Sequence, residues 1–202
     1  LFYFYLYIYY VISLYMYVLL YIYIFVCKLI YLYVSLYICM YAYICMNVYI
    51  GADHRGFKMK EYLKTFLKSQ GYNVTDLGND KYDEGDDYPD FAIAVAEHVA
   101  KEYEGSRGIL ICGSGAGMSI TANKLSRIRA VLALTPDQAF DSRNDDDANV
   151  LALAANYVDL ETGKRIVGTW LTTPFSGEER HQRRIGKIRT LEIREEEKDG
   201  DS

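Results

Sequence analysis

The sequence predicts an α/β fold: a Rossmann-like three-layer sandwich with a mainly parallel five-stranded sheet and helices on both faces. From residue 46 onward, short apolar runs alternate with amphipathic runs, and several apolar runs end in glycine-containing turns. Strands that are covered on both faces of a sheet read as nearly continuous apolar runs. The alternation therefore indicates successive strand–helix–strand units.

Residues 1–45 stand apart because they are almost entirely apolar residues and tyrosine, with Lys28 as their only charge. The tract exceeds the ~20 residues that span a bilayer, so a membrane anchor is one interpretation. Tyrosine recurs all along it, however, whereas membrane helices keep tyrosine at their interfaces. No basic segment or cleavage site marks a signal peptide. The repeated Tyr-Ile, Tyr-Leu and Tyr-Val pairs favour a mis-called start before Met46, the product of an A/T-rich repeat.

The remaining residues have the composition of one domain, predicted over 46–194, with a disordered acidic tail over 195–202. They carry every acidic residue of a chain whose net charge is −5, which argues against a nucleic-acid surface. Cys112 is their only cysteine, so neither a disulfide framework nor a metal cluster is expected. A reducing, cytoplasmic location follows.

The first elements are defined by apolar spacing and glycine. Residues 47–51 (NVYIG) predict a strand, and residues 57–70 predict an amphipathic helix that Gly71 ends. A second strand is predicted over 72–77. An acidic loop over 80–87 follows it.

The later elements follow the same alternation. Pro89 fits the first turn of a helix that runs to about residue 102, because proline lacks the N–H that a first turn leaves unbonded. The remaining strands are predicted over 108–111, 129–134 and 150–154, and the remaining helices over 117–124, from 136, over 161–171 and over 177–193.

The most informative stretch is a glycine-rich turn that follows the third strand. Cys112 ends the strand, and the turn reads Gly113, Ser114, Gly115, Ala116 and Gly117. Glycines allow a tight turn whose N–H groups can face a small anion. Met118 stands where a dinucleotide fingerprint requires glycine or alanine. Structural glycines around a buried thiol are the alternative.

Three further clusters carry candidate functional side chains. Asp53 and His54 follow the first strand, where a polar helix cap is the alternative. The run from Ser142 to Asn149 precedes the last strand and includes Asp145 and Asp146; a solvated turn would explain it equally. Arg180 and Arg184 are four apart on one helix face and form a phosphate clamp, unless they pair with nearby acids.

Seven motifs follow one another along this part of the chain: GADHRG at 51–56, DYPDFA at 87–92, ICGSGAGMS at 111–119, ANK at 122–124, IRA at 128–130, NVLA at 149–152 and RHQRR at 180–184. In this order these motifs resemble ribose-5-phosphate isomerase type B, whose relatives include the galactose-6-phosphate isomerase subunits. They extend over the whole of the chain from residue 46 to about 192 and do not touch 1–45.

The resemblance implies aldose–ketose isomerisation of a sugar phosphate, most simply ribose 5-phosphate to ribulose 5-phosphate, without metal or organic cofactor. It implies a homodimer or tetramer with a shared active site. Cys112 matches the base that removes the C2 proton, and Ser114 lies beside the enediolate oxygen. Matching residues for substrate or phosphate binding are Asp53, His54, Tyr88, Gly113, Gly115, Ala116, Gly117, Asp146, Asn149, Arg180, His181 and Arg184.

Two departures from the family pattern concern ring opening and phosphate binding. Asp145 stands where many members have the ring-opening histidine, and Asn156 stands where a further phosphate-binding arginine is often found. A carboxylate can act as a base in ring opening but is a weak proton donor near neutral pH. A non-catalytic sugar-phosphate sensor, a hexose 6-phosphate isomerase and a membrane-tethered enzyme therefore remain alternatives.

Overall fold

The computed structural model describes residues 2–44 and 46–200. The chain divides into two units, residues 1–44 and residues 45–202, and each is described by itself.

The first unit is a single helix, α1 (Phe2–Ile44). Its central part, Leu14–Val34, is 21 residues long with a mean hydropathy of 2.0. Length and composition would let this part cross a membrane, but core helices and signal sequences have the same two properties. The side chains of residues 14–34 are exposed in this unit.

The second unit is built on one sheet of five parallel strands, as predicted. The strands are β1 (Asn47–Ala52), β2 (Asn73–Asp76), β3 (Ser106–Cys112), β4 (Ala130–Leu132) and β5 (Val150–Ala154). They lie in the order β2-β1-β3-β5-β4, and each neighbouring pair is parallel. The five predicted strands and the fold class are confirmed.

Six helices complete the described part of this unit, residues 46–200. They are α2 (Phe57–Ser69), α3 (Tyr88–Lys101), α4 (Ala116–Ala122), α5 (Pro136–Asn144), α6 (Leu160–Thr172) and α7 (Glu179–Gly200). Proline in the first turn of α3 and of α5 agrees with the predicted starts. Each helix begins within a few residues of its predicted start.

Alternate residues of the sheet pack against helices on opposite faces. Ile109 packs in a core that includes Leu63 of α2 and Trp170 of α6. Leu110, one position later, packs in the second core with Val95 of α3. Burying each of these large side chains contributes roughly 1.5–3 kcal/mol, which is why both faces must be covered.

The C-terminal prediction was wrong for residues 195–200. The disordered tail expected from residue 195 is helical up to Gly200, as the end of α7, while residues 201 and 202 lie outside the described part of the chain. Glutamate and lysine are good helix formers, and Lys198 donates to Glu195 one turn earlier at 2.6 Å. A high density of charged residues indicates disorder, but glutamate and lysine also favour an exposed helix.

The pairing of β1 with β3 places two strand ends side by side. Ala52 is level with Ile111, and the N–H of Asp53 donates to the Ile111 carbonyl at 3.2 Å. The chain leaves β1 toward β2 on one side and returns to β3 on the other. Ligands of open α/β sheets bind at such a reversal, in the crevice at the carboxyl ends of the strands.

Gly56 determines how closely the start of α2 approaches β3. A Cβ at this position would lie 2.4 Å from the carbonyl oxygen of Ile111. The obstacle is backbone, so a side-chain rotation cannot relieve it.

We predict that Gly56→Ala lowers the free energy of unfolding by at least about 2 kcal/mol, because β3 and α2 must move apart. Gly105→Ala is the matched control, since a Cβ there meets nothing within 4 Å, and it should change stability by less than about 0.5 kcal/mol. Urea unfolding of both variants measures the difference. Equal values would show that the close approach of Gly56 is not limiting.

Candidate active site

The predicted glycine-rich turn lies at the carboxyl end of β3, in the crevice beside β1. Cys112 is 4% exposed, and the N–H of Gly115 donates to its sulfur at 3.1 Å. Gly115 has φ of 72°, a left-handed conformation that favours glycine. The sequence therefore places glycine where this turn needs it.

Other side chains close around the turn. The ring of Tyr88 lies against Gly117, where a Cβ would come within 2.7 Å of it. At Gly113, a Cβ would lie 2.7 Å from Cδ of Arg55 and 3.0 Å from Nδ2 of Asn156. Ser114 and Ala116 are exposed at the surface of the turn. The turn is thus open to small molecules and closely lined at its base.

Asp53 is buried at the end of β1, and its Oδ1 accepts from the N–H of Gly56 at 2.9 Å. Burial raises the pKa of this carboxyl above its ordinary value, although the Gly56 N–H and the neighbouring His54 act in the opposite direction. The helix-cap interpretation is therefore correct in part, because Asp53 does bond the backbone at the start of α2. Asp53 also directly follows Ala52, the last residue of β1, at the carboxyl end of the sheet.

His54 is held by a residue that the sequence analysis did not single out. Its Nδ1 lies 2.8 Å from Oδ1 of Asp86, and its backbone N–H donates to the same oxygen at 3.0 Å. Asp86 belongs to the acidic loop over 80–87, in which the sequence analysis identified no functional residue. A spacing of 32 residues gives no local signal of this contact.

A second cluster forms where α5 ends and α7 begins. Asp145 and His181 approach each other, with 3.5 Å between Oδ1 and Nδ1. The same Nδ1 is 3.0 Å from the hydroxyl oxygen of Ser176. His181 is only 1% exposed, whereas the Asp145 side chain is 43% exposed. Asp145 is therefore the member of this pair that a substrate can reach.

Buried Arg143 and partly buried Arg129 fix the loop that carries these carboxylates. Asp147 accepts from Arg129 at 2.8 Å and from Arg143 at 2.7 Å. Both groups of the Asn149 amide are bonded to backbone, with Oδ1 accepting from Arg129 N–H and Nδ2 donating to the Arg127 carbonyl. Asn149 thus has a structural part in this loop, while Asp146 is exposed.

The predicted clamp residues lie on the first two turns of α7. Arg180 is exposed and forms an ion pair with Glu178 at 2.8 Å. Pairing with a nearby acid was the alternative to a phosphate clamp. Arg184 is also exposed, one turn further along. A surface ion pair of this kind contributes less than about 1 kcal/mol, so an anionic ligand can displace it.

The two clusters lie at opposite edges of the sheet. Gly108 pairs with Val150 and Cys112 pairs with Ala154, so the loop before β5 is four residues, or about 13 Å, below the Cys112 turn. Asp53, His54, Tyr88 and the turn are at the carboxyl edge. Asp145, Asp146, Asn149 and His181, with the start of α7, are at the amino edge. One chain does not bring the predicted site residues together.

A groove of about 950 Å³ runs along the amino edge. Arg127, Arg129 and Asp147 line it from the sheet side, and Gln182 and Arg189 line it from α7. The Cys112 turn does not contribute to it. Within the part of the chain that the structure describes, no three His, Cys, Asp or Glu side chains converge in a way that could hold a metal ion.

Comparisons with known proteins find relatives of the second unit. A family model described as Ribose/Galactose Isomerase matches residues 48–188. Ribose-5-phosphate isomerase B of Escherichia coli is 44% identical over 145 residues, which cover 71% of this chain and 95% of that protein. D-erythrulose-4-phosphate isomerase of Pectobacterium atrosepticum is 39% identical over 128 residues, covering 63% of this chain and 84% of that protein.

Solved structures show the same likeness. The crystal structure of ribose-5-phosphate isomerase B from Mycoplasma genitalium with bound ribulose-5-phosphate has a TM-score of 0.72 and 41% identity, covering 73% of this chain and 97% of that chain. Identity at this level extends over most of the second unit, and the resemblance seen in the seven motifs is confirmed. The chain belongs to the ribose/galactose isomerase family.

Proposed function

We propose that the second unit interconverts ribose 5-phosphate and ribulose 5-phosphate, with Cys112 as the base that removes the C2 proton. The observation that carries the proposal is the position of the Cys112 sulfur, held by the Gly115 N–H in the crevice between the ends of β1 and β3. Relatives that are named ribose-5-phosphate isomerase B support the substrate. The reaction needs a free thiol, which supports a reducing, cytoplasmic location.

The chemistry follows from the turn. The Cys112 thiolate takes the proton from C2 of the open-chain aldose, and the C2–H electrons form a C1–C2 double bond while the C1 carbonyl becomes an enediolate oxygen. N–H groups of the turn from Gly113 to Gly117 and the Ser114 hydroxyl would stabilise that charge. Return of the proton to C1, with transfer of the O2 proton to O1, gives the ketose.

Ring opening must precede this step, and we assign it to Asp145. Its exposed carboxylate can take the proton from the C1 hydroxyl and pass it to the ring oxygen as the ring C–O bond breaks. His181, buried behind it, orients the carboxylate. Arg180 and Arg184 would bind the phosphate, since guanidinium groups form paired hydrogen bonds with phosphate oxygens.

We further propose that two copies of the chain complete each site. The turn of one copy and the Asp145 cluster of the other would face one substrate, because the two clusters of one chain lie on opposite edges of the sheet. The exposed apolar residues of α7 support this arrangement, since Ile188, Leu191 and Ile193 are about half exposed on an otherwise polar helix.

A second candidate substrate is a tetrose phosphate, which the likeness to D-erythrulose-4-phosphate isomerase favours. Hexose 6-phosphates and a sensor without turnover are the further alternatives. Coupled ketose assays with tetrose, pentose and hexose phosphates test all of them on one preparation. Binding of every sugar phosphate without turnover would overturn the isomerase assignment.

We predict that Cys112→Ala lowers kcat at least about a hundredfold while the protein remains folded, because the base is removed. Cys27→Ala, the same substitution at an exposed cysteine of the first unit, should leave kcat unchanged. Steady-state kinetics and circular dichroism of both variants check this. An active Cys112→Ala protein would remove Cys112 from proton abstraction.

Mixing two inactive variants tests the shared site. Cys112→Ala lacks the base, and Arg180→Ala/Arg184→Ala lacks the clamp. If the halves come from different copies, randomly mixed dimers regain about one quarter of wild-type activity, because half of the dimers contain one intact site. Mixing after subunit exchange should give this result, and unmixed variants should stay inactive. No recovery in proven mixed dimers would place both halves on one chain.

We expect the Asp53 carboxylate to lower the free energy of unfolding of the domain while it contributes to activity. Because its pKa is raised by burial, its ionised form destabilises the folded state, and this cost is absent below the unfolded pKa and grows as pH rises through the folded pKa. Asp53→Asn keeps an oxygen for the Gly56 N–H. We predict a larger free energy of unfolding at about pH 7, no gain at about pH 3.5, and lower activity.

Urea unfolding at both pH values measures the effect. Asp80→Asn, at an exposed aspartate, is the control and should change stability little at either pH. A loss of stability for Asp53→Asn at neutral pH would mean that the carboxylate is net stabilising.

A further inference from the structure

Asp86 is unusual among the acidic residues of its loop because it is buried. Its side chain is 6% exposed, while Asp83, Glu84 and Asp87 are exposed. One carboxylate oxygen accepts from both the backbone N–H and the Nδ1 of His54, at 3.0 and 2.8 Å. Two bonds to one residue fix both the backbone and the ring of His54.

The rest of the loop supports this contact. The second oxygen of Asp86 accepts from Nδ2 of Asn79 at 3.1 Å, which fixes the carboxylate plane. The ring of Tyr82 meets the ring of His54 edge-on, with 6.3 Å between centroids, and meets Phe57 of α2 in the same way. The loop therefore encloses one side of the imidazole, which stays 23% exposed.

The hydrogen-bond chemistry determines the state of the ring. An ionised carboxylate can only accept, so Nδ1 of His54 carries the hydrogen of this bond. The remaining polar atom, Nε2, lies on the opposite side of the ring from Nδ1 and so points away from Asp86. In a neutral ring that carries its hydrogen on Nδ1, Nε2 is an acceptor.

We propose that Asp86 is a positioning residue, which holds the His54 ring so that Nε2 is presented as an acceptor to the hydroxyl groups of the substrate. The inference rests on the proposed function, because it takes the crevice beside Cys112 as the sugar-phosphate site. A carboxylate near an anionic substrate repels it, so direct electrostatics would make Asp86 unfavourable for binding. Its benefit must come through His54.

A role through His54 and a direct effect of charge predict opposite changes in KM, so one measurement distinguishes them. If Asp86 acts through His54, Asp86→Ala raises KM for ribose 5-phosphate about tenfold, with a smaller change in kcat. If Asp86 acts only by its charge, the same change lowers KM. Glu84→Ala removes an exposed acid from the same loop and is the matched control, with KM expected to stay constant or fall slightly.

A double-mutant cycle tests whether the effect passes through His54. His54→Gln/Asp86→Ala should have a KM equal to or slightly below that of His54→Gln alone, because Asp86 has no ring left to position and only its repulsion of the substrate is removed. Independent, additive losses would overturn the proposal. Asp86→Asn, which keeps the shape of the side chain, separates loss of the carboxylate charge from collapse of the loop, and its KM should lie between those of wild type and Asp86→Ala.

The state of the ring can be read without catalysis. Nitrogen-15 NMR of the full chain should show a hydrogen on Nδ1 of His54 in wild type and in Glu84→Ala, and a mixture of tautomers in Asp86→Ala. The same spectrum in all three would overturn the positioning role even if activity changes. If wild type shows the Nδ1 hydrogen but no isomerase activity, the proposed function fails and the Asp86 contact stands.

Discussion

The parallel pairing of β1 with β3 is the constraint on which the rest of the site depends. It brings Ala52 level with Ile111, so that Asp53 and the Cys112 turn begin at the same height. The fit of Gly56 against the Ile111 carbonyl allows this closeness. Side chains from residues about sixty positions apart in sequence then share one crevice, since the carboxyl ends of parallel strands meet at one edge of a sheet.

Stability and function make opposite demands at this edge. The domain covers both faces of its sheet with large apolar side chains, which supplies the favourable free energy of folding. At the crevice it buries the Asp53 carboxyl, whose pKa is raised by that burial. The side chain of Asp86 is also buried, although its neighbours in the acidic loop are exposed. Buried carboxyl groups in a crevice are typical of functional sites, because electrostatic interactions are stronger where water is excluded.

The elements were predictable because their signals are local. Apolar spacing and the positions of Gly71 and Pro89 placed the strands of the second unit, and the starts of its helices, within a few residues. The Cys112 turn could also be predicted from its glycines, because the positive φ at Gly115 favours glycine. The extension of α7 was missed, since charge density indicates disorder and exposed helix equally well. Asp86 was missed because its partner lies 32 residues away.

The sequence by itself determined the fold class, the family and the residues available for chemistry, because these depend on periodicity and on motifs of a few neighbouring positions. Only the tertiary structure decided which residues share a site. The order of the strands sends Cys112 and Asp53 to the carboxyl edge and Asp145 and His181 to the amino edge. That separation arises from strand direction and register, which depend on pairing between distant segments and cannot be read from any one of them.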